Sequence, residues 1–219
     1  MIKNDFMKEL ENTLMLTTEE VEKSISTGNI DEAKEIVNKG LKSIIGIDIG
    51  TVDIFSFNSL ERFIANEMHY NAEKFIAFGC FMKLQGLISG KENKENSQID
   101  YYEKAIESFY KAYNEDDEIN PKYLDDAAYV AKELSKYESS LDIDKKILRI
   151  YELANKLDKA EDTLFYMIRK TNNDVSIILE GIKFYNRLKE MNHDKLKKGN
   201  LPLEEVEDGL LELERRLEM

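Results

Sequence analysis

Apolar residues recur at helical spacing along almost the whole chain, and no other feature of the sequence limits the fold as strongly. A helix that packs on a core carries an apolar side chain every three or four residues. The first segment has such a stripe, formed by Phe6, Leu10, Leu14, Val21 and Ile25. Only 2 prolines and 10 glycines occur in the chain, which is too few for a loop-rich or all-β protein. The sequence therefore predicts an all-α fold.

Turn signals divide the first half of the chain into paired helices. Gly28 and Asn29 separate the first helix from a second one that ends at Gly46, which predicts a helical hairpin. Residues 72–89 are apolar on nearly all sides, so we predict that they form the centre of the core. Residues 90–98 are polar and lack apolar anchors, and we expect a mobile loop there.

The chain after residue 98 contains six further helical segments. Pro121 and Pro202 each fall where a helix can begin, which is the helical position that proline tolerates best. No stretch between these segments has the composition of an interdomain linker. We therefore predict a single helical domain over residues 1–219.

Residues 47–57 are the exception to the helical pattern, because apolar residues alternate there over a short distance. The sequence leaves open whether this segment is a short strand or a loop. We interpret it as an irregular, structured connector whose apolar side chains pack over the first hairpin.

This connector contains a motif that bears on function. Residues 44–51, IIGIDIGT, resemble the first phosphate-binding turn of sugar kinases, actin and related ATPases. The resemblance implies a nucleotide-binding enzyme that uses the turn from Asp48 to Thr51. Those ATPases also need a second phosphate loop and a Gly-Gly adenosine loop, and this sequence has neither. We interpret the motif as part of the connector and keep the enzyme as an alternative.

The charge of the chain limits its partners. The formal net charge of −13 at pH 7 opposes binding to nucleic acid or to anionic lipid, since both interactions depend on Lys and Arg that neutralise phosphates. No apolar stretch approaches the roughly 20 residues that span a bilayer. Asp5 and Glu9 lie within the first ten residues, which therefore do not form a signal peptide. We expect a cytoplasmic protein without nucleic-acid or membrane partners.

Residues with catalytic or metal-binding chemistry are few and scattered. Cys80 lies among large apolar residues, which favours a buried, inert thiol. His69 and His193 are too few to build a metal cluster. We predict no catalytic residue, no metal site and no cofactor.

Three helical segments share a spacing in which a small residue is followed by residues four and seven positions later. The sets are Ala33, Val37 and Gly40; Ala105, Phe109 and Ala112; Ala160, Leu164 and Met167. They resemble the second helix of a tetratricopeptide (TPR) repeat, in which a small residue lets the paired helix approach closely. The fullest match covers residues 144–173, with Ile147, Leu148 and Tyr151 in the first helix. The resemblance implies a TPR-like, right-handed stack of antiparallel helix hairpins; an irregular helical bundle is the alternative.

Two further segments, residues 196–214 and 158–165, look like an uncharacterised bacterial family of TPR-like proteins that covers essentially the full length. This resemblance supports the fold and implies no activity and no site residues.

A stack of this kind exposes a concave face that binds a peptide or a helix of another protein without chemistry. We therefore expect a non-enzymatic protein- or peptide-binding module, with a ligand- or peptide-sensing regulator that lacks its own DNA-binding head as an alternative. Lys145 and Arg149 lie one turn apart on the side of the first helix that would face the groove. We predict that they hold a partner's carboxylate. The competing interpretation is a pair of solvated side chains bridged to Asp142 or Glu152.

Overall fold

The structure, a computed structural model, describes residues 2–65, 71–115 and 121–218. Every regular element in these ranges is helical, which confirms the predicted all-α fold. In chain order the helices are α1 (Ile2–Ser26), α2 (Ile30–Ile44), α3 (Ile49–Ile54), α4 (Phe57–Ile64), α5 (Asn71–Lys91), α6 (Glu95–Glu115), α7 (Leu124–Leu134), α8 (Leu141–Leu153), α9 (Leu157–Lys170), α10 (Val175–Lys189), α11 (His193–Lys198) and α12 (Leu203–Leu217), with a 3-10 turn at Pro121–Tyr123 before α7. Within these described ranges, no helix has both the length and the apolar character needed to cross a bilayer.

The chain divides into two compact units, Met1–Glu138 and Ser139–Met219. The first helix of the second unit, α8, is capped by Ser140, whose hydroxyl oxygen accepts a hydrogen bond from the backbone N–H of Ile143. The single domain over residues 1–219 stays a prediction.

Helix α5 is the centre of the first unit, as its apolar composition predicts. It packs against α1, α2, α4, α6 and α7. The four consecutive side chains from Phe75 to Phe78 together go once round the helix, and each is at most 1% exposed. A helix that is apolar all round is stable only when other elements surround it, and α5 has that environment.

The hairpin of α5 and α6 is held by aromatic rings that fill the space beside glycines. A Cβ atom added to Gly86 would lie 2.2 Å from Cε1 of Tyr102, and one added to Gly79 would lie 2.9 Å from Cε1 of Phe109. Each pair, the two glycines and the two aromatics, is separated by seven residues, which is close to two helical turns. The register between the two helices is therefore fixed at two places by the same kind of contact.

The predicted mobile loop at residues 90–98 is wrong in its extent. Helix α5 continues to Lys91, α6 begins at Glu95, and only a short turn separates them. The backbone N–H of Lys94 donates to the carbonyl of Ser89, and Asn93 takes a left-handed conformation with φ of 59°. The polar residues that suggested a loop belong to the end of α5, the short turn and the first turn of α6.

Residues 47–57 form neither a strand nor a loop, because they contain α3 and the start of α4. The carboxylate of Asp48 begins α3 by accepting hydrogen bonds from the backbone N–H of Thr51 at 3.0 Å and from its hydroxyl at 2.9 Å. Val52 is fully buried, as expected for a packed connector, whereas Ile54 is 77% exposed. Apolar alternation was a poor guide here because a capped helix of one and a half turns is too short to show its own period.

The second unit consists of helix pairs. Helix α8 packs along α9, α10 packs along α12, and α9 also contacts α10. Small residues allow this packing: Ala160 of α9 is fully buried, and a Cβ atom added to Gly209 of α12 would lie 2.3 Å from the ring of Tyr185 in α10. These contacts place the two long helices of each pair close together.

Candidate functional site

The predicted cations Lys145 and Arg149 lie on α8, and both are in ion pairs within their own unit. The ammonium of Lys145 is 2.7 Å from Oε1 of Glu180 on α10. The guanidinium of Arg149 is 3.2 Å from Oε2 of Glu152 on α8. The structure thus agrees with the competing interpretation for Arg149, whereas Lys145 pairs with a residue that sequence reasoning did not name. Asp142 pairs with Lys146 instead.

Glu152 is the most constrained charge on this face. Its side chain is 8% exposed, and Arg187 of α10 donates to both of its carboxylate oxygens, each at 2.8 Å. Burial alone would raise the pKa of Glu152, but the hydrogen bonds and charges of Arg187 and Arg149 outweigh burial and hold this pKa below its ordinary value. A carboxylate held in this way by a bidentate arginine is a rigid structural element.

We define the repeat face as the surface formed by Lys145, Arg149, Glu152, Glu180 and Arg187. On it, Lys145 of α8 faces Glu180 of α10, and Glu152 of α8 faces Arg187 of α10. An incoming carboxylate can reach Lys145 only in competition with Glu180. The site at Lys145 and Arg149 stays a prediction. In this geometry a partner carboxylate would bind Lys145 by replacing Glu180, and not by entering an open cationic pocket.

The first unit contains a cavity of about 570 Å³ that sequence reasoning missed. We call it the polar cleft. Its walls come from α2, α3, α5 and α6, together with the turn between α5 and α6. A volume of this size lies in the range of about 300–1,000 Å³ that is usual for small-molecule sites.

One wall of the polar cleft is the motif that resembles a phosphate-binding turn. The side-chain carbonyl of Asn38 on α2 accepts a hydrogen bond from the backbone N–H of Ile49 at 2.9 Å, which ties α3 to α2. At the other end of α3, Asp53 accepts a hydrogen bond from the hydroxyl of Tyr101 on α6 at 2.5 Å. Burial first, and this bond to a carboxylate second, raise the pKa of Tyr101, so the phenol keeps its proton. Helix α3 is thereby anchored on both sides.

The turn end of the polar cleft carries a cluster of three charges. Oε1 of Glu92 lies 2.6 Å from the ammonium of Lys34 and 3.2 Å from that of Lys94. The hydrogen bond from Lys34 is the main cause that lowers the pKa of Glu92. Two lysines share one carboxylate at this point, so the turn end is the more positive end of the cleft.

Gln85 and Ser89 form the floor, one turn apart on α5. Gln85 is 3% exposed and Ser89 is 4% exposed. In the part of the chain that the structure describes, Nε2 of Gln85 has no hydrogen-bond partner. A buried donor without an acceptor costs about 1–3 kcal/mol, and native proteins rarely keep one without a reason. The sequence did contain a signal for this site, since Gln85 is a polar residue inside the most apolar helix.

The sequence also singled out Cys80, His69 and His193 as residues with reactive side chains. Cys80 is buried, and burial raises the pKa of its thiol, which keeps it protonated. His193 begins α11, while His69 lies outside the described residues. Across the ranges that the structure describes, no group of three or more His, Cys, Asp or Glu side chains could hold a metal ion.

Comparison with known proteins gives a relationship at the level of a family. A family model, described as a family of unknown function, matches residues 1–218. No curated protein matches the chain, and no solved structure matches it.

Proposed function

Since the chain belongs to the family of unknown function DUF6483, whose description assigns no activity, we propose from the chain's own features that it is a non-enzymatic protein- or peptide-binding module of the TPR-like helical-repeat type. The repeat face is the proposed binding surface. A ligand-sensing regulator is the second candidate, favoured by the polar cleft.

The observation that carries the proposal is the spacing of α8 and α10. Helix α8 begins at Leu141 and α10 begins at Val175, 34 residues later, which equals the TPR period. Two ion pairs join these helices, Lys145 with Glu180 and Glu152 with Arg187, and each links residues 35 positions apart. Equivalent first helices of adjacent TPR repeats lie side by side, so contacts near this separation support a TPR-like arrangement.

The turn after α9 also supports it. Asn172 and Asn173, the predicted exit of the repeat, have positive φ angles of 53° and 62°. Left-handed residues at this point end α9 and let α10 return along it. The short helix α11 between α10 and α12 departs from a regular repeat, which is why we describe the unit as TPR-like.

The chemistry of the repeat face suits an acidic or carboxylate-ended peptide. Lys145 and Glu180 are both about two-fifths exposed, and an ion pair in water contributes only about 0.2–1 kcal/mol. A partner carboxylate can therefore displace Glu180 at little cost. Arg149 lies one turn along α8 and offers further N–H donors.

Peptide selection against the immobilised full-length protein tests this function. We expect a random peptide library to yield sequences with an acidic residue or a free C-terminus. Fluorescence anisotropy of a selected peptide should show saturable binding that weakens as salt rises. Lys145→Ala/Arg149→Ala should weaken it about tenfold or more, because charge-assisted hydrogen bonds are lost.

A matched control removes the same two charges from α9. Lys159→Ala/Arg169→Ala changes one Lys and one Arg on the second helix of the pair and should leave the affinity unchanged. Thermal melts of both double variants check folding. A library that yields no saturable binder would overturn the binding function, whereas equal binding by the two double variants would remove only the assigned residues.

The enzyme alternative rests on the turn from Asp48 to Thr51. In the structure, Ile49 to Thr51 form the first turn of α3, and the carboxylate of Asp48 caps that helix. Titration with ATP checks the alternative directly. Saturable ATP binding that Asp48→Asn abolishes would favour the enzyme over the binding module.

A further inference from the structure

The unpartnered amide of Gln85 requires a hydrogen-bond acceptor that the described residues do not supply. Gln85 lines the polar cleft from its floor, and its amide nitrogen is closed to water in this conformation, so a ligand oxygen reaches it when the amide group turns toward the cleft. An apolar side chain would fill this place in α5 at lower cost. The simplest physical account is that a carbonyl or carboxylate oxygen of a ligand completes the amide.

The charge of the lining limits what kind of ligand enters. Four carboxylates line the polar cleft and two lysines oppose them; the carboxylates are Glu35, Asp48, Asp53 and Glu92, and the lysines are Lys34 and Lys94. An excess of carboxylates repels phosphates and nucleotides and attracts ammonium groups. The ligand must therefore combine a cation with the acceptor that Gln85 needs.

We propose that the polar cleft binds a ligand with an ammonium group next to a carbonyl or carboxylate, as in a free amino acid or the first residue of a peptide. This proposal does not depend on the peptide surface of α8 and α10. It assigns a ligand class to a site whose residues lie in four helices and a turn.

The two ends of the cleft suit the two groups of such a ligand. Asp53 accepts from Tyr101 through Oδ1, so an ammonium meets this carboxylate at Oδ2. Tyr101 thus positions the acceptor for the cation. Once its amide group has turned toward the cleft, Gln85 donates to the ligand oxygen from the floor.

The two sources of this chemistry differ at the turn end. The carboxylate of a free amino acid carries a full negative charge, which Lys34 and Lys94 attract. Ser89 lies on α5 between these lysines and Gln85. A peptide presents only a neutral carbonyl to Gln85, and its chain must leave through the open side of the cleft. Both sources need a free ammonium group.

Isothermal titration calorimetry of the full chain tests the proposal with defined probes. The probes are the twenty free amino acids, a set of tripeptide amides with free N-termini, and the same tripeptides N-acetylated. We expect saturable binding of at least one probe with a free ammonium and none of the acetylated peptides. Binding of amino acids alone identifies a free metabolite, and binding of the tripeptide amides identifies a peptide terminus.

Two variants link that binding to the cleft. Asp53→Asn keeps an acceptor for Tyr101 but removes the negative charge, and Gln85→Leu removes the donor at nearly the same volume. Each should weaken binding about tenfold or more. Asp162→Asn, an exposed change on α9, is the matched control for lost charge and should bind as the wild type does.

The stability of Gln85→Leu distinguishes a loss of binding from a loss of folding. Gln85→Leu should fold with unchanged or higher stability and still lose the ligand. The proposal is overturned if no free-ammonium probe binds, if acetylated and free peptides bind alike, or if both cleft variants keep the wild-type affinity. Saturable binding of phosphate or ATP at the cleft would overturn it as well.

Discussion

Glu152 of the second unit and Gln85 of the first are both buried polar side chains, and their surroundings are opposite. Glu152 is 8% exposed and receives two hydrogen bonds from Arg187 and an ion pair from Arg149. Gln85 is 3% exposed, and its amide nitrogen has no partner among the described residues. The fold supplies Glu152 with hydrogen-bond partners, and it leaves the amide nitrogen of Gln85 without one.

This difference separates structural from ligand-binding roles more clearly than residue type does. Charged residues suggest binding when the sequence is read alone, yet in the structure Glu152 and Arg187 hold α8 to α10. An uncharged glutamine in an apolar helix is an inconspicuous signal in the sequence, yet its amide nitrogen is among the buried groups that lack a partner in the described residues. Satisfied buried polar groups stabilise a fold, while unsatisfied ones cost stability unless a ligand completes them.

The largest expected effect on stability comes from removing the hydrogen-bond donor of Glu152. Arg187→Ala leaves the buried Glu152 carboxylate with Arg149 alone, and we expect a loss of about 2–3 kcal/mol in the free energy of unfolding. Urea denaturation followed by circular dichroism measures it. Arg169→Ala, an exposed change on α9, should stay within about 0.5 kcal/mol. Equal effects for both variants would mean that Glu152 does not depend on its bidentate partner.

A stability change of the opposite sign is expected at Gln85. Gln85→Leu removes a buried donor without a partner, so we expect a gain of about 1 kcal/mol and a higher melting temperature. The matched control is Gln98→Leu on α6, because Gln98 accepts a hydrogen bond from Tyr137 and its loss should destabilise. Clear destabilisation by Gln85→Leu, measured by the same denaturation, would show that this amide is satisfied within the fold.

A smaller effect is expected in the pH dependence of stability. The pKa of Glu152 is lower in the folded chain than in the unfolded chain. Its contribution is therefore present above the unfolded value of about 4.3 and is lost as pH falls through the folded value. Urea midpoints measured from pH 7 to pH 3 should fall more steeply for the wild type than for Glu152→Gln. Parallel profiles would contradict the assignment, and Gln85→Leu should keep the wild-type slope.

The smallest effect is expected at the exposed edge of the repeat face. Lys145→Ala removes a pair whose two side chains are 38% and 44% exposed, and we expect a loss of about 0.2–0.5 kcal/mol in the free energy of unfolding. Denaturation at low and high salt measures it, and salt should reduce the difference. A loss above about 1.5 kcal/mol would mean that Lys145 is structural and not available to a partner.

Sequence periodicity was sufficient for the helices and for the core. The apolar character of residues 72–89 predicted that α5 is central, because a helix without a polar face must be enclosed. It failed where polarity had two explanations: residues 90–98 looked like a loop, although the exposed first turn of a helix is equally polar. It failed again at residues 47–57, where the cap formed by Asp48 outweighs a weak alternating pattern.

The candidate sites show the same limit. Helical spacing predicted that Lys145 and Arg149 share a side of α8, but not that Glu180 lies across from them, because that contact depends on how α10 packs. The polar cleft could not be predicted, since its residues come from positions 34 to 101 and meet only after folding. Gln85 stands out because no hydrogen-bond acceptor lies near its amide nitrogen in the described residues. The sequence does not show which buried groups lack a partner.

The turn between α5 and α6 determines which part of the first unit can fold fastest. It joins two helices of 21 residues each, so the ring contacts along the hairpin form between segments that are adjacent in the chain. Low sequence separation speeds folding. Helix α3 contacts α6 through residues that are 48 and 52 positions apart. In pulse-labelling hydrogen exchange during refolding, amides of α5 and α6 should therefore gain protection before those of α3, and simultaneous protection would contradict this order. The floor of the polar cleft would then be a template on which α3 later closes the binding site.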